Sequence, residues 1–256
     1  MPRNRVAAMK FFVDLNLRPP LKNHHQTVKM IEKSVELGYN AIGIAFPVDV
    51  EQKEVQIIQE TCKSIGVDMV TRTELTPKTP KDLLRDLRSF RRKFEVIAVL
   101  CYSKDVARQA AKDRRVDLIS FPSINPRKRF FDFAEAELAS NSLACFEINL
   151  APLLLLESYE RARLLSYLRR ETLIAKKFGV PIVLSSGANE PYLLRKPQDY
   201  AFLTYLFGLD FNAAEKAISE NPRAIIERNK KKASANYVAP GVYLIKKGKD
   251  CLRYLG

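Results

Sequence analysis

The sequence predicts an α/β fold, a TIM-like barrel of seven parallel strands with surrounding helices. Three observations carry this expectation. Seven apolar, β-rich runs alternate with longer amphipathic stretches. Gly38, Gly66 and Gly179 each separate the end of a helical pattern from the start of a strand, the short αβ loop of βαβ units in a parallel sheet. The chain's 256 residues suffice to bury one sizeable core. Seven strands make a nearly closed barrel, one short of the usual eight. An open doubly wound sheet is the alternative, although no G-x-G-x-x-G follows the first strand.

The first strand is expected over residues 9–15, followed by a helix over 27–37 and a second strand over 41–46. Val55, Ile58, Cys62 and Ile65 recur at steps of three and four, which gives the second helix one apolar face. Strand three follows over 67–71. Thr79-Pro80-Lys81-Asp82 reads as an N-cap with proline at the first helical position; that helix should bury Leu84, Leu87 and Phe90. Strand four spans 96–101, and Ser103 caps the next helix. Strand five spans 118–121, and strand six, over 144–150, precedes a long helix over 157–178. Pro181 then opens strand seven, over 182–184, which ends on Ser185-Ser186-Gly187; Pro197 starts the next helix. Only helices follow, over 197–207, 212–219 and 222–232, the last capped by Asn221. The barrel therefore occupies residues 1–232, and residues 233–256 form a C-terminal extension with a strand-like run over 242–245.

The charge balance is unusual. Lys and Arg number 43 against 29 Asp and Glu, a net +14, which favours a polyanionic partner and says nothing about fold. RNA and DNA fit better than an anionic membrane, because the cations are scattered rather than gathered beside an apolar span. Cys62, Cys101, Cys145 and Cys251 form no C-x-x-C pair and read as thiols in a reducing compartment. MPRNRVAAMKFF has no continuous apolar stretch of the secretory kind, and no run approaches the ~20 apolar residues of a membrane span. The expected location is cytoplasmic.

A barrel enzyme would carry its reactive groups at the strand ends. Those positions hold Asp14, Asn16, Arg18, Arg72, Glu74, Ser103, Ser123, Asn125, Glu147, Asn149, Ser185 and Ser186. The two histidines, His24 and His25, are adjacent, so chelation of one ion by both is disfavoured. An all-carboxylate site from Asp14, Glu74 and Glu147 is the enzymatic alternative, a metal-dependent phosphoesterase. Ion pairing with Arg18 or Arg72 explains the same acids without chemistry. Ser185 and Ser186 lack a G-x-S-x-G context; they either cradle a phosphate with Gly187 or satisfy the backbone at a strand–loop junction.

The basic clusters are more informative. Arg127, Lys128 and Arg129 sit beside Phe130 and Phe131; the long helix carries Arg161, Arg163, Arg169, Arg170, Lys176 and Lys177; Lys230-Lys231-Lys232 ends the last helix. One such run is usually a solvated face. Several on a strongly basic chain point to phosphate contacts, read by shape rather than by base. The expected RNA-binding residues are Arg72, Lys104, Arg108, Arg127, Lys128 and Arg129. Asn16, Arg18, Ser185, Ser186 and Gly187 are expected at the strand mouth, as structure or as a partner surface.

FVDLNLRP, LGYNAIGIAFP, DLISFPS, CFEINLAPLL, KKFGVPIVLSSGANEPYLLRKPQDYAFLTYLFGL and NPRAIIERN together resemble the ribonuclease P protein component 3 family, in its compact archaeal form. The likeness covers residues 10–232, and NYVAPGVYL beyond them is also similar. The resemblance implies a barrel subunit of an enzyme whose RNA removes the 5′ leader of precursor tRNA with Mg²⁺. It also implies a small α/β protein subunit as partner, in a heterotetramer with two copies of each, alongside other ribonuclease P proteins. The family resembles the polymerase and histidinol phosphatase superfamily, which carries H-x-H after strand one; here those positions read Asn16-Leu17-Arg18. The implied chain binds no cofactor and performs no catalysis alone.

Overall fold

Every strand of the main sheet runs in the same direction. The computed structural model describes residues 10–123, 128–234, 236–239 and 242–244. The first half alternates β1 (Val13–Leu17), α1 (His24–Glu36), β2 (Ala41–Ala45), α2 (Gln52–Ile65), β3 (Asp68–Leu75), α3 (Pro80–Phe90), β4 (Val96–Leu100) and α4 (Lys104–Lys112). The second half continues with β5 (Leu118–Ser120), α5 (Phe133–Ser140), β6 (Cys145–Asn149), α6 (Ala151–Leu155), α7 (Ser158–Phe178) and β7 (Ile182–Ser185). Helices α8 (Pro197–Leu203), α9 (Phe211–Ile218) and α10 (Glu220–Ala233) follow, then an antiparallel pair, β8 (Tyr237–Ala239) and β9 (Val242–Tyr243).

The sheet order is β1 through β7 in sequence, each strand parallel to the next. Right-handed βαβ crossovers wind such a sheet toward closure. Among the described residues no ladder joins β7 to β1. The seam is instead bridged above the strands: Arg18 N donates to Ala188 O at 2.8 Å, and Ser186 N donates to Asp14 Oδ1 at 2.9 Å. The barrel is nearly closed.

Local chemistry sets the helix limits. Thr79 and Asp82 form a reciprocal capping box ahead of Pro80, and Ser103, Asp132 and Asp210 cap α4, α5 and α9. Several expectations shift. The first strand starts at Val13, because pairing begins where Val13 meets Ala41. Helix α3 buries Leu83 and Leu87 fully, leaving Leu84 and Phe90 half-buried. Helix α10 begins at Glu220, and the Asn221 amide donates to Ile182 O at 2.7 Å instead of capping. Helices α5 and α6 lie in stretches the periodicity left unassigned.

Two apolar clusters divide the core. The larger lies between sheet and helices; the smaller fills the barrel interior with Val13, Leu15, Ala41, Val70, Val96, Ala98, Leu118, Cys145 and Val183. Ile225 and Ile226 of α10 join that interior cluster, so α10 closes the end where the strands begin. Asp117 anchors it there, accepting from Arg228 at 2.7 Å, Asn229 at 2.9 Å, Arg91 at 2.5 Å and Ile97 N at 2.9 Å.

Strand β1 advances three residues, from Asp14 to Leu17, while β2 advances two, from Ile42 to Ile44. This bulge carries the β1 backbone against Gly43, where a Cβ would stand 2.5 Å from Leu15 O. Gly43→Ala should therefore cost about 1–3 kcal/mol through forced backbone displacement. Urea denaturation of the variant and the parent measures it.

Candidate functional site

Period-two alternation carries a polar layer on top of the interior cluster. Arg72 and Glu74 follow Val70 on β3, Glu147 and Asn149 follow Cys145 on β6, and Ser185 follows Val183 on β7. Arg72 is fully buried. Its Nη2 donates to Glu147 Oε2 at 2.7 Å, its Nη1 donates to Glu147 Oε1 and, at 2.9 Å, to Leu15 O. Burial alone would lower the Arg72 pKa; the Glu147 carboxylate, with Glu74 and Asp14, outweighs that and raises it.

Around this pair the mouth is filled by its own side chains. Ser185 Oγ donates to Glu147 Oε1 at 2.7 Å, and Asn16 Nδ2 donates to Asn149 Oδ1 at 2.7 Å. Arg18 Nε donates to Asn16 Oδ1 at 3.0 Å and its Nη2 to Glu74 Oε2 at 2.6 Å. Ser186 Oγ donates to Asn16 O at 3.3 Å and accepts from Ala188 N at 3.1 Å. Gly187 has φ +63° and lies against Asn149, 3.1 Å from where its own Cβ would stand, so both conformation and space call for glycine. Asp14 Oδ1 accepts from Asn16 N at 3.0 Å and from Ser186 N. Burial raises the Asp14 pKa, with the Ser186 and Asn16 hydrogen bonds and the Arg72 charge opposing.

These contacts bring together five of the residues read from the sequence: Asn16, Arg18, Ser185, Ser186 and Gly187. Of the serine hydroxyls read as a phosphate cradle, Ser185 is engaged by Glu147 and Ser186 by the backbone of Asn16 and Ala188. The all-carboxylate metal reading meets a guanidinium: Glu147 is held by Arg72, and Glu74 by Arg18 and Arg72. Among the described residues no group of three His, Cys, Asp or Glu is arranged around a common point.

The residues expected to meet RNA separate into three groups. Arg72 and Arg129 are corrected, since both are buried and neutralised. Arg129 Nε donates to Glu171 Oε1 at 2.9 Å and Nη2 to Glu171 Oε2 at 2.5 Å, while Nη1 donates to Phe121 O and Pro122 O. Arg127 lies outside the described residues. Lys104 and Arg108 face solvent, with side chains 52% and 40% exposed, and share Asp132 at 3.5 and 3.6 Å. Lys128 is exposed as well, its Nζ 5.2 Å from the centre of the Tyr102 ring. Sequence reasoning missed Tyr102, Asp132 and Phe133; the signal available was an aromatic ring next to Ser103-Lys104, outside any apolar stripe.

Beneath this patch Glu135 is buried with neither carboxylate oxygen hydrogen-bonded. Burial, reinforced by the Asp132 charge and opposed by Arg108, pushes its pKa from 4.5 up to about 8.

The fold and the mouth define a class: an α/β barrel whose strand-end glutamates, Glu74 and Glu147, are paired with Arg18 and Arg72, and whose cations Lys104, Arg108 and Lys128 lie on the exterior. The chain belongs to the RNase P subunit p30 family, whose model matches residues 11–234. Ribonuclease P protein component 3 of Methanothermobacter thermautotrophicus is 27% identical over 222 residues, 86% of this chain and 89% of the relative. That of Methanocaldococcus jannaschii is 31% identical over 199 residues, covering 77% and 83%. A chain in the cryo-EM structure of archaeal ribonuclease P with mature tRNA superposes with a TM-score of 0.81 at 26% identity, covering 93% of this chain and 99% of that one.

Two outcomes check the site. Glu147→Ala leaves Arg72 buried without its main counter-charge and should cost roughly 3–5 kcal/mol in denaturant unfolding. Glu135 holds a proton in the folded state that the unfolded chain releases above pH 4.5, so its contribution to stability falls as pH rises toward about 8. Glu135→Gln should remove that fall, and its Tm advantage over the parent should widen across this window in a pH series.

Proposed function

We propose that this chain acts as a protein subunit of ribonuclease P, supporting the catalytic RNA in endonucleolytic removal of the 5′ leader from precursor tRNA. The observation that carries this reading is a division of charge. Glu74 and Glu147 at the strand ends are committed to Arg18 and Arg72, while Lys104, Arg108 and Lys128 face solvent. The first arrangement commits the two glutamates that an all-carboxylate site would need. The second, on a +14 protein, suits phosphate neutralisation that lets a folded RNA populate its active form. The likeness to a chain of archaeal ribonuclease P supports the same reading.

On this reading the chain binds no cofactor, and Mg²⁺ belongs to the RNA. Its partners are the ribonuclease P RNA, a small α/β protein subunit with which it forms a heterotetramer of two copies each, and the other ribonuclease P proteins. Precursor tRNA is met indirectly, in the cytoplasm. Among the described residues no helix is long and apolar enough to cross a membrane.

Omission tests the proposal: RNA and proteins are assembled with and without this chain, and precursor tRNA cleavage is followed at low Mg²⁺. Slower cleavage without the chain is expected; equal rates would refute the support role. With about six to ten phosphate contacts, RNA affinity should fall ~10³–10⁵-fold as salt rises from ~50 to ~200 mM. A flat salt dependence in filter binding would exclude this mode of contact.

A further inference from the structure

Two aromatic rings stand in solvent beside the Lys104–Arg108–Asp132 cluster, and each has a lysine over its face. Tyr102, between β4 and α4, is 43% exposed and carries Lys128. Phe133, the first residue of α5, is 54% exposed, and Lys177 Nζ lies 4.9 Å from its ring centre. Asp132 binds Lys104 and Arg108 and thereby ties the start of α4 to the start of α5. Tyr102 precedes Lys104 by two residues and Phe133 directly follows Asp132. The rings therefore flank the cations along one surface.

That alternation matches a single strand better than a duplex. A paired helix offers phosphates but keeps its bases stacked on one another, whereas an unpaired segment presents both a phosphate and a free base face at each step. The lysine over each ring occupies one face, so a base stacking there takes the place of the Nζ, which is then released to a neighbouring phosphate. Among the described residues Phe133 also has Phe178 beside it, ring centres 5.8 Å apart, but no third ring. An apolar protein surface would instead meet the exposed group Phe202, Tyr205 and Phe211, with centres 6.4 and 5.9 Å apart and no lysine over them among the described residues.

We propose that Tyr102 and Phe133 stack on unpaired bases of RNA while Lys104, Arg108, Lys128 and Lys177 contact the adjoining phosphates. This deepens the RNA-supporting reading and rests on it. The site selects loops, bulges or single-stranded joints.

The test compares two probes on the full-length chain at ~50 mM salt: a 12-nucleotide unpaired RNA and an RNA hairpin of similar charge with a minimal loop. Tyr102→Ala should weaken binding of the unpaired probe about 5- to 150-fold and leave hairpin affinity unchanged, which also reports that the variant is folded. Tyr102→Phe should bind like the parent. The double variant Lys104→Ala/Arg108→Ala should weaken both probes and flatten the salt dependence. Unchanged affinity in Tyr102→Ala, or an equal loss for both probes, would overturn stacking while the RNA reading stands. If the parent binds neither probe, and adding the chain to the assembled RNA alters nothing, the RNA reading falls and the stacking site with it.

Discussion

The Arg72–Glu147 ion pair is the interaction on which the interior of this barrel depends. It spans from β3 to β6 inside the sheet, in a place from which water is excluded, and each partner alone would be an uncompensated buried charge. Leu15 O, Glu74 and Ser185 supply further hydrogen bonds to the pair, while Arg72 Nε is left without a partner. A buried pair of this kind adds little net stability compared with a well-packed apolar substitute. What it does add is a fixed polar register. Only one rotation and stagger of the strands brings Arg72, Glu147, Ser185 and Glu74 into reach of one another.

This layer also accounts for the separation of inside from outside. In a hydrolytic barrel, acids at the strand ends would be left free to take a metal or a proton. Here Arg72 and Arg18 stand among those acids, and Asn16 with Asn149 completes the ring with neutral amides. The mouth is thus a scaffold in which Glu74, Glu147, Ser185, Asn16 and Asn149 are each engaged by another group of the same chain, while Asp14 Oδ2 and Arg72 Nε are not. Cations that have only an exposed, shared counter-charge, such as Lys104 and Arg108 at Asp132, lie on the exterior. On the reading proposed above, these surface cations are the groups that meet an anionic partner.

The strand and helix order was legible because it depends on local patterns: apolar runs, a glycine after each of three helices, and Thr79 or Ser103 as caps. Where reading failed, a distant partner or a missing period decided. Residues 133–140 contain apolar positions on all sides, FAEAELAS, so no amphipathic stripe announced α5. Arg72 and Arg129 look like their exposed counterparts in sequence, yet each is buried against a glutamate 75 or 42 residues away. For Arg72 a clue was present. T-R-T-E lies within a strand that opens Asp68-Met69-Val70, and in a barrel the inner-facing phase of Val70 passes through Arg72. For Lys104 and Arg108 the charge was readable but their shared neighbour Asp132 was not. It lies on the far side of Arg129 in the sequence.

The unsealed edge between first and last strands has a consequence for how the molecule forms. Closing it requires Asp14 to meet Ser186, 172 residues away, and the interior floor is supplied by Ile225 and Ile226, near the end of the barrel segment. A ribosome delivering this chain from its N-terminus therefore releases most of the sheet before either the clasp or the floor exists. Such distant contacts carry a large entropy of chain closure. A nascent chain stopped short of α10 lacks Ile225 and Ile226 and leaves that end of the hydrophobic interior uncovered.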